Sequence, residues 1–223
     1  MSDAGESASD WADEAEAALL TAALAHAPGL GWTHRLLAAA ARDVGMSEAE
    51  AELLLPNGAR DLAALLARRH DDAALARLAI YDPTQLKVRE RIRIAVLARC
   101  DAAVEDEAAV RRWCGFLALP GNAALGLRLA WASADALWRW AGDTAADENH
   151  YTKRVLLAEI LIATLAIRLA SGADAASAHL DQRIAGVMAF ERWKAGVRPA
   201  DLALRAASAL GRLRYGRARP GAA

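Results

Sequence analysis

The sequence predicts an all-α protein of about nine to ten helices. Apolar residues make up 55% of the chain and aromatic residues only 5%, because much of the apolar share is alanine, the residue with the highest helix propensity. Apolar positions recur at helical spacing through most of the chain, and no stretch shows the apolar–polar alternation typical of a strand. Glycine and proline fall between the periodic stretches, where they end helices.

Local signals place the ends of these helices. Pro28 and Gly29 end the first, Thr33 is suited to cap the second, and Gly45 stops it. Ser47 begins the third helix, because its SEAE run fits a capping box. The predicted helices cover residues 10–27, 33–44, 47–55, 58–81, 84–104, 106–118, 123–140, 151–170, 173–194 and 200–216.

The 223 residues suit one main domain with a tail at each end. Residues 1–9 are expected to be a disordered acidic N-terminus, and 10–196 a helical domain whose first part, 10–55, has a helix-turn-helix outline. Residues 197–223 are expected to hold a linker, an amphipathic helix and a disordered end. In the stretch 84–104, Ile92 and Val96 share one apolar face, and Arg99 is expected to lie mostly away from it.

The net charge of −1 conceals an acidic beginning and an arginine-rich end, and a basic end favours an anionic partner. Two cysteines, Cys100 and Cys114, are too few for a disulfide framework, so a reducing compartment is expected. The acidic start is unlike a secretory signal. Glu159 and Arg168 interrupt the most apolar run, so we expect a soluble protein or one that lies on a membrane surface.

The motifs of catalysis are missing from the sequence. None of its five histidines follows a glutamate by three residues, as a helical di-iron site requires, and Asp147–His150 is the nearest match. Cys100 and Cys114 have no close partners for a zinc site. We therefore expect no catalytic residue, no metal and no cofactor, and a protein that is not an enzyme.

The helix-turn-helix outline raises the alternative of a ligand-sensing transcription regulator of the TetR type. Its second helix would normally enter the major groove of DNA. Here that helix carries Glu48, Glu50 and Glu52 and no basic residue, so it would repel phosphate. No nucleic-acid partner is expected, and the regulator remains the alternative function.

Four motifs carry a resemblance to a known family: LPGN at 119–122, WRWAGD at 138–143, NHYTKR at 149–154 and LDQRI at 180–184. With GWT at 31–33, their order and spacing resemble the ninth coenzyme-Q biosynthesis (COQ9) protein family. The resemblance implies a TetR-like fold that does not regulate transcription. It also implies a homodimer that binds isoprenoid lipid, assists the di-iron or another hydroxylase of the ubiquinone pathway, and lies peripherally on a membrane. The membrane would be the bacterial inner membrane on its cytoplasmic side, or the mitochondrial one on its matrix side.

A tryptophan-rich helix and the apolar helix after it are either an ordinary core or the walls of a lipid cavity. Small residues along 123–134 would leave room for a hydrocarbon tail, and the resemblance favours the cavity. The candidate lining residues are Trp113, Phe116, Leu127, Trp131, Leu156, Ile160, Leu161 and Leu165.

The segment between these two helices mixes aromatic and charged residues, as interface hot spots do, although a capped helix with a solvated loop would have the same composition. In the family this region resembles a docking patch for the hydroxylase. Matched position by position, the candidate partner-binding residues are Trp138, Asp143, His150, Tyr151 and Arg154. His150 departs from the large aromatic residue that family members often have before the tyrosine.

The final helix, 200–216, has an apolar stripe flanked by arginines. That pattern suits a helix lying in the headgroup region of a membrane, or one packed on the domain or on a dimer mate. It matches the membrane-associating helix that the resemblance implies. The candidate membrane-binding residues are Leu202, Arg205, Leu210, Arg212, Leu213 and Arg214.

Overall fold

In the computed structural model, the chain is described over residues 3–143 and 148–196, and its side chains over 11–143 and 150–189. The described part is all-α, as predicted, with eight helices and no strand. A 3₁₀ turn, Pro83–Gln85, precedes the fifth helix. The helices are α1 (Asp3–Leu30), α2 (His34–Asp43), α3 (Glu48–Leu54), α4 (Ala59–Leu78), α5 (Val88–Val104), α6 (Glu107–Ala118), α7 (Ala123–Trp140) and α8 (Glu148–Gly196).

The helix count is slightly below the prediction for two reasons. The helices expected at 151–170 and 173–194 are a single element, α8, interrupted at Gly172, whose φ of 86° and ψ of −174° are not helical. The helix expected at 200–216 lies outside the described residues. The helix α1 extends past Pro28 to Leu30, because Gly31, with φ of 64°, is the residue that turns the chain.

Capping explains why α2 and α3 are short and closely joined. Gly45 adopts φ of 71°, and Met46 N donates to Ala41 O at 2.9 Å, which is the Schellman ending expected of a glycine stop. The predicted capping box of α3 is confirmed, since Glu50 N donates to Ser47 Oγ at 3.2 Å and Ser47 N donates to Glu50 Oε2 at 2.9 Å. The residues 34–54 thus form a compact helix-turn-helix-like segment.

The hydrophobic core joins this segment to the body of the protein. Leu19 of α1, Leu36 of α2 and Leu66 of α4 are fully buried in one cluster. Trp32 and Trp113 enter the same cluster, and each indole donates to a backbone carbonyl, of Ala109 at 3.2 Å and of Ala63 at 3.1 Å. Their polar atoms are therefore satisfied while their rings fill the core.

A buried polar network crosses α4, α5 and α7. Arg99 is buried, contrary to the expectation that it lies away from the apolar face, because its Nε donates to Asp71 Oδ1 at 2.5 Å. Ser133 Oγ also donates to Asp71, at 2.7 Å. His70, buried one residue away, contacts Asp106 Oδ2 through Nε2 at 3.0 Å. Sequence periodicity assigned Arg99 to the surface because it cannot locate the acid on another helix that pairs with it.

The chain divides into two compact units, 1–180 and 181–223, and the described part of the second is the end of α8. By length and composition, His150–Ala189 of α8 could cross a membrane, and 22% of its most apolar window is buried. We expected Glu159 and Arg168 to exclude a membrane-spanning helix here. The composition of α8 meets the criterion for such a helix despite these two charges. Buried helices of soluble proteins meet the same criterion, and α8 is also broken at Gly172.

Candidate functional surface on helices α7 and α8

The end of α7 is built by the WRWAGD motif. Gly142 has φ of 84°, its N–H donates to Arg139 O at 3.0 Å, and Asp143 N donates to Trp138 O at 3.0 Å. These two bonds form a Schellman motif, in which a glycine after the helix takes the left-handed conformation. The turn fixes the position of Asp143 at the end of α7.

Arg154 of α8 lies beneath the surface rather than on it. Only 2% of the residue is exposed, and its Nε donates to Asp135 Oδ1 of α7 at 2.5 Å. Its Nη1 donates to Asp143 Oδ2 and to the carbonyl of His150, each at 3.1 Å. A guanidinium held by two carboxylates and a carbonyl connects α7, its terminal turn and the start of α8. Arg154 therefore holds this region together and presents little of itself to a partner.

Trp138 and Lys153 close the side of this ion network. Lys153 Nζ donates to Asp143 Oδ1 at 2.7 Å and lies 5.5 Å from the centroid of the Trp138 ring. Trp138 Nε1 donates to the carbonyl of Lys153 at 3.1 Å. Lys153 thus contacts both Asp143 and Trp138, and Trp138 is only half-buried.

The charge state of Asp143 follows from these contacts. Burial acts to raise the pKa of its carboxyl group, but the hydrogen bonds from Lys153 and Arg154 and their positive charges outweigh burial and lower the pKa below its ordinary value. Asp143 therefore stays ionised at neutral pH, as the ion network requires.

Aromatic and aliphatic side chains are exposed along α8, the helix that carries Arg154. Tyr151 is exposed, and its ring lies 6.0 Å from that of Trp131 and 5.2 Å from that of His150. Val155 and Ile162, which are also exposed, follow Tyr151 at helical spacing along α8. We call Trp131, Tyr151, Val155 and Ile162 the α7–α8 surface. Exposed apolar side chains that cluster in this way mark interaction sites.

The predicted lipid-lining residues lie in three environments. Trp113, Phe116 and Leu165 belong to or pack against the core cluster, while Ile160 and Leu161 are buried on α8. Leu127 and Leu156 are exposed, and Trp131 is half-buried in the α7–α8 surface. The structure therefore does not bring the whole set together around one point, and their role in lipid binding stays a prediction.

The predicted partner-binding residues are brought together. Trp138, Asp143 and Arg154 form or border the ion network, and His150 and Tyr151 lie at the start of α8 beside it. Sequence reasoning missed Asp135 and Lys153. The signal for Asp135 was that it is the one acidic residue of α7, a mostly apolar helix, where an acid requires a partner. The predicted membrane-binding residues, Leu202 to Arg214, lie outside the described residues.

Two further features bear on function. The carboxylate of Glu50 accepts hydrogen bonds from Ser47, which lower its pKa, so α3 is acidic at neutral pH. Glu48 and Glu52 on the same helix are exposed. Over the residues that the structure describes, no three His, Cys, Asp or Glu side chains gather in a way that could hold a metal ion.

Comparison with known proteins shows similarity to one family. The COQ9 family model matches residues 123–191, which contain α7 and most of α8. The chain is 28% identical over 166 residues to the human "Ubiquinone biosynthesis protein COQ9, mitochondrial", covering 70% of this chain and 52% of the human protein. It is 29% identical over 182 residues to COQ9-B of Xenopus laevis, covering 74% and 59% of the two chains. It is 30% identical over 166 residues to COQ9 of Bos taurus, covering 70% and 51%.

The chain thus spans about half the length of the curated relatives that it matches. The family match falls on the two helices that carry the ion network and the α7–α8 surface. These matches support a relationship between this chain and the COQ9 family.

Proposed function

We propose that this chain is a non-catalytic accessory protein of ubiquinone biosynthesis, which binds isoprenoid quinone precursors and presents them to a hydroxylase. The proposal rests on one observation: the residues matched by the family model, 123–191, include the α7–α8 surface. The relatives are named as mitochondrial ubiquinone biosynthesis proteins, which supports the pathway and is consistent with the mitochondrial one of the two expected locations.

The physical problem that such a protein solves is the insolubility of a polyisoprenoid tail. Burying apolar surface contributes about 25 cal/mol per Å², so a long tail is held wherever helices part to admit it. In the proposal the tail lies between α7 and α8, against Ile160 and Leu161, which are buried side chains of α8. Thr164, one turn further along α8, is fully buried with an unpartnered hydroxyl and lies on the same side of the helix.

Docking of the hydroxylase is assigned to the α7–α8 surface. Tyrosine and tryptophan are enriched in interface hot spots, because a rigid ring offers much contact area. Tyr151 and Trp131 have this role in the proposal, and Arg154 holds the backbone beneath them without touching the partner. His150 stands beside Tyr151, so this contact differs from that of relatives with a larger aromatic residue there.

Docking is tested by capture of the purified hydroxylase of the ubiquinone pathway on immobilised protein. Tyr151→Ala should weaken capture by at least about tenfold, the loss expected for a hot-spot residue. Leu53→Ala is the matched control, because Leu53 is an exposed aliphatic side chain on α3 and should not contribute. Equal capture by both variants would remove the docking role from Tyr151.

Lipid binding is tested by native mass spectrometry of gently purified protein followed by lipid extraction. Polyprenyl quinone species in the extract support the proposal, and an empty protein without liposome affinity contradicts it. The membrane role of the C-terminal segment is tested separately, since liposome flotation should weaken when residues 199–223 are deleted.

A further inference from the structure

A second group of exposed apolar side chains lies on the connection between α4 and α5. Ile80 is 81% exposed, which among the described large apolar residues is exceeded only by Leu53 at 85%. Tyr81 follows directly, and Val88 at the first turn of α5 is exposed as well. We call Ile80, Tyr81 and Val88 the α4–α5 tip. They lie at the same end of two helices that pack against each other.

The backbone that carries the α4–α5 tip is firmly fixed. Asp82 Oδ1 accepts from Thr84 N at 2.9 Å, and Glu90 Oε2 accepts from Lys87 N at 3.0 Å, so both ends of the connection are capped. Arg91 donates from Nε to Leu86 O at 2.8 Å and from Nη1 to Ala141 O at 2.7 Å. The connection is therefore tied to the end of α7. Its apolar side chains are held outward by an ordered backbone, and they are not part of a frayed loop.

The α4–α5 tip differs from Leu53, the other strongly exposed aliphatic residue, in the charges that surround it. Lys87 and Arg89 are exposed on either side of Val88 in the sequence. The acids of the connection, Asp82 and Glu90, are occupied as caps of backbone N–H groups. Leu53, by contrast, stands on α3 among three glutamates and no base.

We propose that the α4–α5 tip is a contact site for the surface of an anionic lipid bilayer. Ile80 and Val88 would enter the boundary between headgroups and acyl chains, where Tyr81 places its ring in the apolar layer and its hydroxyl in water. Lys87 and Arg89 would reach the phosphates of anionic lipids. An anionic bilayer should bind the α4–α5 tip and not Leu53, because the glutamates of α3 repel the negative surface.

This contact is independent of the C-terminal segment and of quinone or hydroxylase binding. It also lies near the end of α7, since Arg91 bonds both the connection and Ala141. A bilayer held at the α4–α5 tip would therefore lie close to the end of α7 on which the ion network is built, and a membrane-embedded quinone would be near the proposed docking surface.

The test is co-sedimentation of the full-length protein with vesicles of phosphatidylcholine that contain about 30 mol% phosphatidylglycerol, which gives the surface a negative potential. Ile80→Glu and Val88→Glu should each weaken binding by about tenfold, because each removes an inserted side chain and adds a repelled charge. Lys87→Gln with Arg89→Gln should weaken binding to these vesicles and reduce its dependence on salt. Leu53→Glu, which makes the same chemical change at a comparably exposed site, should bind like the unaltered protein.

The same variants distinguish a membrane contact from a loss of folding and from a protein contact. Thermal melts of all variants should agree with the unaltered protein, because the replaced side chains are exposed. The proposal is overturned if Ile80→Glu and Val88→Glu bind anionic vesicles as well as Leu53→Glu does. It is also overturned if they lose hydroxylase capture but no vesicle binding, which would make the α4–α5 tip a protein contact. Because these vesicles contain no quinone, failure here leaves the proposed accessory function standing.

Discussion

Arg154 allows the sharpest test of how the α7–α8 region is held together. Its guanidinium is 2% exposed and is bound by Asp135, Asp143 and the carbonyl of His150. Arg154→Ala leaves two largely buried carboxylates with only their more exposed partners, Arg139 for Asp135 and Lys153 for Asp143. Breaking a buried ion pair by removing one partner costs about 3–5 kcal/mol. For a chain of this size that corresponds to a fall in Tm of roughly 6–20 °C.

The matched control is Arg139→Ala. Arg139 also pairs with Asp135, but 74% of its side chain is exposed, so its ion pair should contribute less than about 1 kcal/mol. Thermal and urea unfolding of both variants, followed by circular dichroism, measure the difference. Arg154→Ala melting no lower than Arg139→Ala would refute the argument that burial, and not ion pairing alone, makes Arg154 the structural centre of this region.

Other predictions concern the rest of the fold. Burial and, to a lesser extent, the charge of Arg99 lower the pKa of His70 to about 4, although Asp106 acts to raise it. Between about pH 6.5 and pH 4 the unfolded chain therefore takes up a proton at this residue that the native protein does not. Urea unfolding should therefore show about 2 kcal/mol less stability at pH 5 than at pH 7.5, and His70→Gln should flatten that dependence. Ser47→Ala should lose about 1 kcal/mol by removing the capping box of α3, measured by the urea midpoint. Gly142→Ala should lower the free energy of unfolding by about 1–2 kcal/mol, because the backbone φ of Gly142 is 84°. Gly115 lies inside α6 with open space around it, so Gly115→Ala should raise the free energy of unfolding by about 0.5–1 kcal/mol in the same assay.

Features with local causes were predictable from the sequence. The capping box at Ser47 and the stop at Gly45 depend on residues within one helical turn, so their type and spacing specify them. The break between the two halves of α8 was predicted for the same reason, since Gly172 admits a conformation that other residues rarely adopt. The all-α class followed from periodicity along the whole chain.

Features that depend on a partner distant in the sequence were not predictable. Arg99 and Arg154 are charged residues on helices, and a charge normally indicates a solvated face. Each is buried because an acid from another helix, Asp71 or Asp135, meets it at 2.5 Å. Periodicity orients the faces of one helix but does not say which faces of two helices meet. The exposure of the α4–α5 tip was also not predictable. Ile80 and Val88 are of residue types that usually belong to the core, yet both are exposed.

The buried ion network and the exposed apolar side chains of the same helix have one physical explanation. Apolar side chains left in water favour collapse inward, and Tyr151 and Val155 stay outside only if the backbone of α8 cannot rotate or move toward α7. Arg154 prevents that movement, because turning α8 would separate its buried guanidinium from Asp135 and Asp143 in a place that water reaches poorly. An apolar residue of similar length at 154 would remove the desolvation cost of the charges but also the directional bonds. The double variant Arg154→Met with Asp135→Leu should therefore fold while holding Tyr151 less firmly. If Tyr151 docks the hydroxylase as proposed, capture of that enzyme should fall more than the free energy of unfolding does.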